Sequence, residues 1–170
     1  LPLKGFVLFP ELMLPLVVGR SSSVQVIDDA LQKDKLVGFV TQRDASVEAP
    51  RPEDLYTVGT AGVIEKMFKM PDESLRIVVR GLSRISLGKY ISTDPYLRAQ
   101  VSEMKEEPEE GELAVEAMTV QVRTDFNKIT ELSSQIPSEL GVMALNLTQP
   151  GLLADLVGSS LNIDEKKKQD

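Results

Sequence analysis

Two residues of this chain are spaced as a catalytic pair would be: Ser86 and Lys89, in the stretch "GLSRISLGKY". They fit the bare S-x-x-K pattern of Ser–Lys acyl enzymes, in which a lysine amine takes the proton of an attacking hydroxyl. That chemistry needs a helix to bring positions i and i+3 together. In a strand the two side chains point to opposite faces, and the surrounding "LRIVVRGLSRISLGKYI" reads as strand, so the pair is read as structural. The same stretch approaches the phosphate-cradling GxxxxGK[ST] loop and fails it. Gly81 stands two positions too early, and Tyr90 occupies the place of the Mg²⁺-binding hydroxyl. "NLT" at 146–148 is a glycosylation sequon, with meaning only in a secreted protein. The carboxylates at 28–29 and 106–110 read as solvated charge. No active site assembles from these parts, and no metal-ligating set emerges.

Composition narrows the chemistry further. The 170 residues contain neither histidine nor cysteine. This removes disulfides, thiolate and imidazole metal sites, cysteine nucleophiles and histidine-based triads together, and it suits a reducing compartment. The net charge of −7 argues against a broad phosphate-binding surface. An apolar content of 42% with 5% aromatics and no tryptophan is enough for a core of one domain or two small ones. A chain that opens on Leu1 rather than Met reads as a fragment or a processed form. Its first 20 residues, "LPLKGFVLFPELMLPLVVGR", are nearly long enough to span a membrane, yet Pro10, Pro15 and Glu11 break any such helix. Lys4 lies inside the run, and no small-residue cleavage site follows, so it is not a secretory signal either. Two short strands, 1–4 and 12–18, joined by a kinked segment are the better reading.

The elements follow from periodicity. Val24, Ile27 and Leu31 recur at helical spacing in 21–34, with a serine after Gly19-Arg20 offered as N-cap. "KLVGFVTQ" (35–42) is a buried strand and 43–54 a polar loop. In 55–70, a strand is interrupted by Gly59 and Gly62, which suggests a bulge or close packing. "PDES" (71–74) is a turn, followed by strands over 75–82, 83–91 and 96–104. Composition then shifts at the charge run "KEEPEEGE" (105–112). Beyond it Val115, Met118, Val122, Phe126, Ile129 and Leu132 form one helical stripe. Pro137 stops that helix, and two shorter helices follow, the second burying Leu152, Leu153, Leu156 and Val157. The fold class is therefore α+β: a β-rich domain over 1–106 with one helix, an acidic linker over 107–111, a helical lobe over 112–165, and the start of a connecting helix over 166–170.

Candidate binding residues come from apolar side chains that a strand would turn outward. In 12–18, Leu12 and Leu14 share one face, and Met13 and Pro15 share the other. If "PDES" closes a tight hairpin, Met70 faces Leu75, Phe68 faces Ile77 and Lys66 faces Val79 on a core face. The opposite face then carries Lys69 with Arg76, Met67 with Val78, and Glu65 with Arg80. Met67 and Val78 would form an apolar island between charged ends, and a flexible methionine beside valine is an adaptable surface for varied apolar peptides. Met13, Pro15, Met67 and Val78 are thus the expected substrate contacts, the alternative being that both faces are covered, the island by the helical lobe or a neighbouring loop.

Four stretches also carry a resemblance. "LPLKGFVLFPELMLPLVVGR", "DKLVGFVTQRDASVEAPRPEDLYTVGTAGVI", "KMPDES" followed by "VVRGLSRI", and "IPSEL…LADLVGSSL" occur in the order and spacing of the N-terminal region of Lon, the ATP-dependent protease. The chain resembles that region over essentially its whole length. It departs at Glu73, where the family usually has Gly in the hairpin turn, and at Gly5, where an acidic or polar residue is usual. The resemblance implies a PUA-like β-domain followed by a helical lobe, leading in the full enzyme to an AAA+ module and a Ser–Lys protease domain. ATP and Mg would belong to that AAA+ module, with no cofactor in this chain. It implies a non-catalytic module that selects unfolded, damaged or degron-tagged polypeptides and supports self-association into a hexamer. The location it implies is the bacterial cytoplasm, or the mitochondrial matrix in a eukaryote. No membrane partner is expected. The alternatives are a stand-alone Lon-N-type ligand-binding protein and, less favoured by an acidic chain, a PUA-like RNA-binding domain.

Overall fold

The computed structural model describes residues 1–105 and 112–169; the acidic segment 107–111 expected as a linker lies outside the described residues. The chain forms two compact units. One comprises Leu1–Met104 together with the residues from Glu165, and the other Lys105–Asp164.

The first unit is built on a six-stranded sheet: β1 (Pro2–Leu3), β2 (Met13–Val18), β3 (Leu36–Thr41), β4 (Val58–Lys69), β5 (Leu75–Ser92) and β6 (Arg98–Glu103). The order is β1-β3-β4-β5-β2, with β6 also pairing β5. β1 is parallel to β3, and the remaining pairings are antiparallel. β5 is long enough to hold β2 along its first six residues and β6 along its second half. Between those partners sits Gly81. A Cβ there would lie 2.2 Å from the Phe9 carbonyl oxygen, so only glycine lets the 9–12 segment cross β5. The crossing is fixed by the Glu11 N–H to the Gly81 carbonyl at 3.1 Å and the Gly81 N–H to the Leu12 carbonyl at 2.9 Å. The residue that spoiled the phosphate-loop reading is thus a packing glycine. Ser86 and Lys89 both lie within β5, as the strand reading of "SLGK" expects. In β4 the suspected close packing is real: a Cβ at Gly59 would come within 2.5 Å of the Phe39 carbonyl oxygen.

Helix α1 (Ser21–Leu31) lays Ser23, Ile27 and Ala30 into the sheet's core, with Val24 and Leu31 partly buried. The serine N-cap is corrected: the cap position belongs to Arg20, which is extended and makes no side-chain cap bond, so Ser21 is already helical. Phe39, Ile27, Ile64, Ile77 and Val79 are the largest fully buried side chains of this core. β2 alternates as its sequence demands, with Leu16 and Val18 buried, Leu14 half-buried, and Met13, Pro15 and Val17 exposed. Pro15, which has no N–H to give a neighbour, is tolerated because β2 is an edge strand.

The hairpin joining β4 and β5 differs from expectation by one residue. Lys69 pairs with Leu75, Phe68 with Arg76, Met67 with Ile77 and Lys66 with Val78; beyond an irregularity at Glu65, Ile64 pairs with Val79. The loop takes in Met70 as well as "PDES". The Met70 N–H donates to the Ser74 carbonyl at 2.9 Å, and the Glu73 N–H to the Met70 carbonyl at 3.1 Å. Glu73 adopts φ +65°, the left-handed conformation in which glycine is favoured. The Asp72 carboxylate accepts from the Ser74 hydroxyl at 2.6 Å and the Ser74 N–H at 3.1 Å. Those bonds hold its pKa below the usual carboxylate value. A one-residue slip exchanges the faces of every paired residue, so Phe68 turns outward and Met67 joins the face of Ile77.

The second unit contains α2 (Glu112–Leu132), α3 (Ser138–Asn146) and α4 (Pro150–Ser160). Its core is Phe126, Ala144, Leu153 and Leu156, flanked by Ile136, Leu140, Leu147 and Val157. Of the six stripe residues expected on α2, Phe126 alone is buried; Met118 and Leu132 stay 67% and 89% exposed. The packed face is turned from the stripe: Thr130 is buried beside an exposed Ile129, Asn127 and Thr130 meet Gly141 of α3, and Arg123 donates to the Leu147 carbonyl. A last helix, α5 (Glu165–Gln169), belongs to the first unit, where the Gln169 side-chain amide donates to the Val58 carbonyl at 3.1 Å.

Candidate functional site

The outward face of the β2–β5–β4 edge is where the expected contact residues can be judged. Three rows cross it. Val17 pairs with Arg76, which pairs with Phe68; Pro15 pairs with Val78, which pairs with Lys66; and Met13 pairs with Arg80. Directly opposed residues in an antiparallel sheet share a face. Met13, Pro15 and Val78 are therefore brought together as expected, with Pro15 and Val78 direct neighbours. Met67 is not part of the group. Its partner is Ile77, on the opposite face, and this corrects its placement beside Val78.

Two side chains that the sequence reading missed complete the patch. Val17 is 72% exposed and Phe68 59%, alongside Met13 at 55%. Val17 was findable, since period-two alternation in β2 carries it with Met13 and Pro15. Phe68 was hidden by the hairpin register. Arg76 stands between Val17 and Phe68 in its row, while Lys66 lies beside Val78 and Arg80 beside Met13. The Arg80 guanidinium donates to Glu65 at 3.0 Å. That ion pair was expected, and the irregularity at Glu65 preserves it despite the changed register. The arrangement carries no nucleophile with a positioned base. Its chemistry is apolar contact, with one flexible thioether, one aromatic ring and cationic side chains set among them.

The comparisons with known proteins agree over the full length. The family model described as "ATP-dependent protease La (LON) substrate-binding domain" matches residues 1–170. The Lon protease of Dictyoglomus thermophilum is 38% identical over 170 residues, covering 100% of this chain and 21% of that protein. That of Koribacter versatilis is 40% identical over 171 residues, with the same shares. The chain belongs to the Lon substrate-binding domain family. It spans about a fifth of the length of these curated relatives. Among solved structures, the N-terminal domain of Mycobacterium avium complex Lon protease superposes with a TM-score of 0.77 at 21% identity, covering 99% of this chain and 85% of that one. At that identity the match speaks for the α+β fold.

Proposed function

We propose that this chain is the substrate-recognition module of an ATP-dependent Lon protease. It holds exposed apolar segments of unfolded, damaged or degron-tagged polypeptides against the outward face of β2–β5–β4. In the full protein, degradation would follow in modules outside this chain, with ATP and Mg bound there and with self-association into a hexamer. The observation that carries the reading is the concentration of exposed Met13, Val17 and Phe68 with Pro15 and Val78 on one edge of the sheet. A surface strand has no folding need for such a cluster, and exposed apolar side chains gathered on one face support a binding role. The methionine adapts to varied sequences, and the cations among these side chains favour segments that are not themselves basic.

The test is the double change Met13→Ser plus Val17→Thr, titrated with an unfolded model protein. The expected result is a loss of about tenfold in affinity, about 1.4 kcal/mol, with an unchanged melting temperature. Met67→Ser, on the other face, should leave affinity where it was. Unchanged binding by the folded double variant would remove this face from the mechanism.

A further inference from the structure

The row Val17–Arg76–Phe68 places a charge between the two most exposed apolar side chains of the outward face. Neighbouring strands stand about 4.8 Å apart, so the row spans about 10 Å. Arg76 is exposed and makes no hydrogen bond or ion pair among the described residues. Nor is it stacked on Phe68: the cation–π contact among the described residues is that of Arg43 with Tyr56, at 4.7 Å. Lys66, one row on beside Val78, is likewise exposed and without an ion-pair partner among them. Arg80 differs, since Glu65 holds its guanidinium. The Asp72 carboxylate in the adjoining loop feels the charge of Arg76, but the hydrogen bonds it accepts come from Ser74.

A segment that covers both Val17 and Phe68 must also cover Arg76. The guanidinium carries N–H donors on all three nitrogens and cannot shed its charge, and covering it without a partner costs free energy. A wholly apolar segment therefore loses at Arg76 part of what it gains at Val17 and Phe68. A basic segment loses more. A carboxylate at that point accepts two donors side by side, in a pair that strengthens as water is excluded. The net charge of −7 repels acidic partners at long range, so the selection acts by contact, within the Debye length of about 8 Å at physiological salt.

We infer that Arg76 is the specificity-determining residue of this face, and that the polypeptide segments it takes carry an acidic side chain between apolar ones. The carboxylate meets the Arg76 guanidinium, and the apolar side chains meet Val17 and Phe68. In an extended segment, side chains on one side recur at i and i+2, about 6.8 Å apart. An acidic residue with an apolar residue two positions to either side therefore matches the row within the reach of a side chain. The inference rests on the reading of this face as the polypeptide-binding site and names the class of segment bound there.

The experiment is fluorescence anisotropy at physiological salt with three peptides, each of roughly ten residues, about 33 Å when extended. Both ends are blocked, and leucines stand two positions either side of one central residue. That residue is glutamate, glutamine or lysine. The glutamate peptide should bind about tenfold more tightly than the glutamine peptide, as a charge-assisted pair allows, and the lysine peptide should bind most weakly. Arg76→Gln should remove the difference between glutamate and glutamine. Arg76→Glu should reverse the order, and Arg76→Lys, which keeps the charge without the planar fork, should retain a smaller preference. Melting temperatures of the three variants confirm that each is folded. Equal affinity of the native chain for glutamate and glutamine peptides would overturn the proposal. So would a preference that survives Arg76→Gln, which would assign it to Lys66, and so would failure of all three peptides to bind a chain that still binds the unfolded model protein. Met13→Ser plus Val17→Thr should weaken all three peptides and keep their ratio. Loss of the ratio while binding stays sensitive to that double change refutes the charge preference alone; binding insensitive to it refutes the reading of the face beneath.

Discussion

At the scale of single residues, Glu73 shows how one side chain sets the geometry around it. It sits at φ +65° in the loop between β4 and β5, where a side chain costs roughly 1–2 kcal/mol relative to glycine. Its neighbour Asp72 organises the loop by accepting two bonds from Ser74. Glu73→Gly should relieve the strain, and the greater freedom of glycine in the unfolded chain offsets part of the gain, by about 0.4–1 kcal/mol. The expected outcome is a net stabilisation of up to about 1.6 kcal/mol, read as a higher urea midpoint with an unchanged slope; a lower midpoint would mean that Glu73 makes a contact worth more than its strain. The resemblance flagged this position, since it implied Gly in this turn. What it did not reveal was that Met70 also enters the loop. That depends on a backbone bond from Met70 to Ser74, which no side-chain pattern reports.

At the scale of elements, the strands whose burial is one-sided were legible and the hairpin register was not. β2 reads correctly because Leu14, Leu16 and Val18 alternate with Met13, Pro15 and Val17, so any other facing would leave its leucines in water. The end of β4 offers no such check. In "EKMFK" apolar residues stand side by side and charges flank both, so either register places one large apolar side chain outward. The loop decides, and it sends Phe68 out. Phe68→Ala should consequently cost little stability, within about 0.5 kcal/mol as for ordinary surface changes. Ile77→Ala, which empties a fully buried position, should cost about 2–5 kcal/mol. Chemical denaturation of the two variants measures both. A Phe68→Ala loss as large as that of Ile77→Ala would restore the register in which Phe68 faces the core. The α2 stripe erred for a related reason: the side of the helix that packs carries polar Arg123, Asn127 and Thr130 with Phe126, which an apolar periodicity does not mark.

At the scale of the whole chain, two separate cores explain why composition shifts after Met104. The first is made of β-branched and aromatic residues on paired strands, centred on Phe39, Ile64, Ile77 and Val79 with Ile27 from α1. The second is made of helix-borne Phe126, Ala144, Leu153 and Leu156. Their sizes differ, with twelve buried residues in the first cluster and four in the second. The helical unit thus depends heavily on a single ring, since Phe126 is its one large aromatic and is 1% exposed. Phe126→Ala should remove about 3–5 kcal/mol, a large part of what a unit of this size can possess. Because Phe126 packs within the helical cluster, the loss should stay within the helices. In hydrogen exchange followed by mass spectrometry, peptides from α2, α3 and α4 should lose protection, while those from β3, β4 and β5 keep theirs. Parallel loss of protection in both sets would show that the two cores fold as one cooperative system. Retained strand protection would establish that the sheet carrying Met13, Val17 and Phe68 holds without an intact helical core.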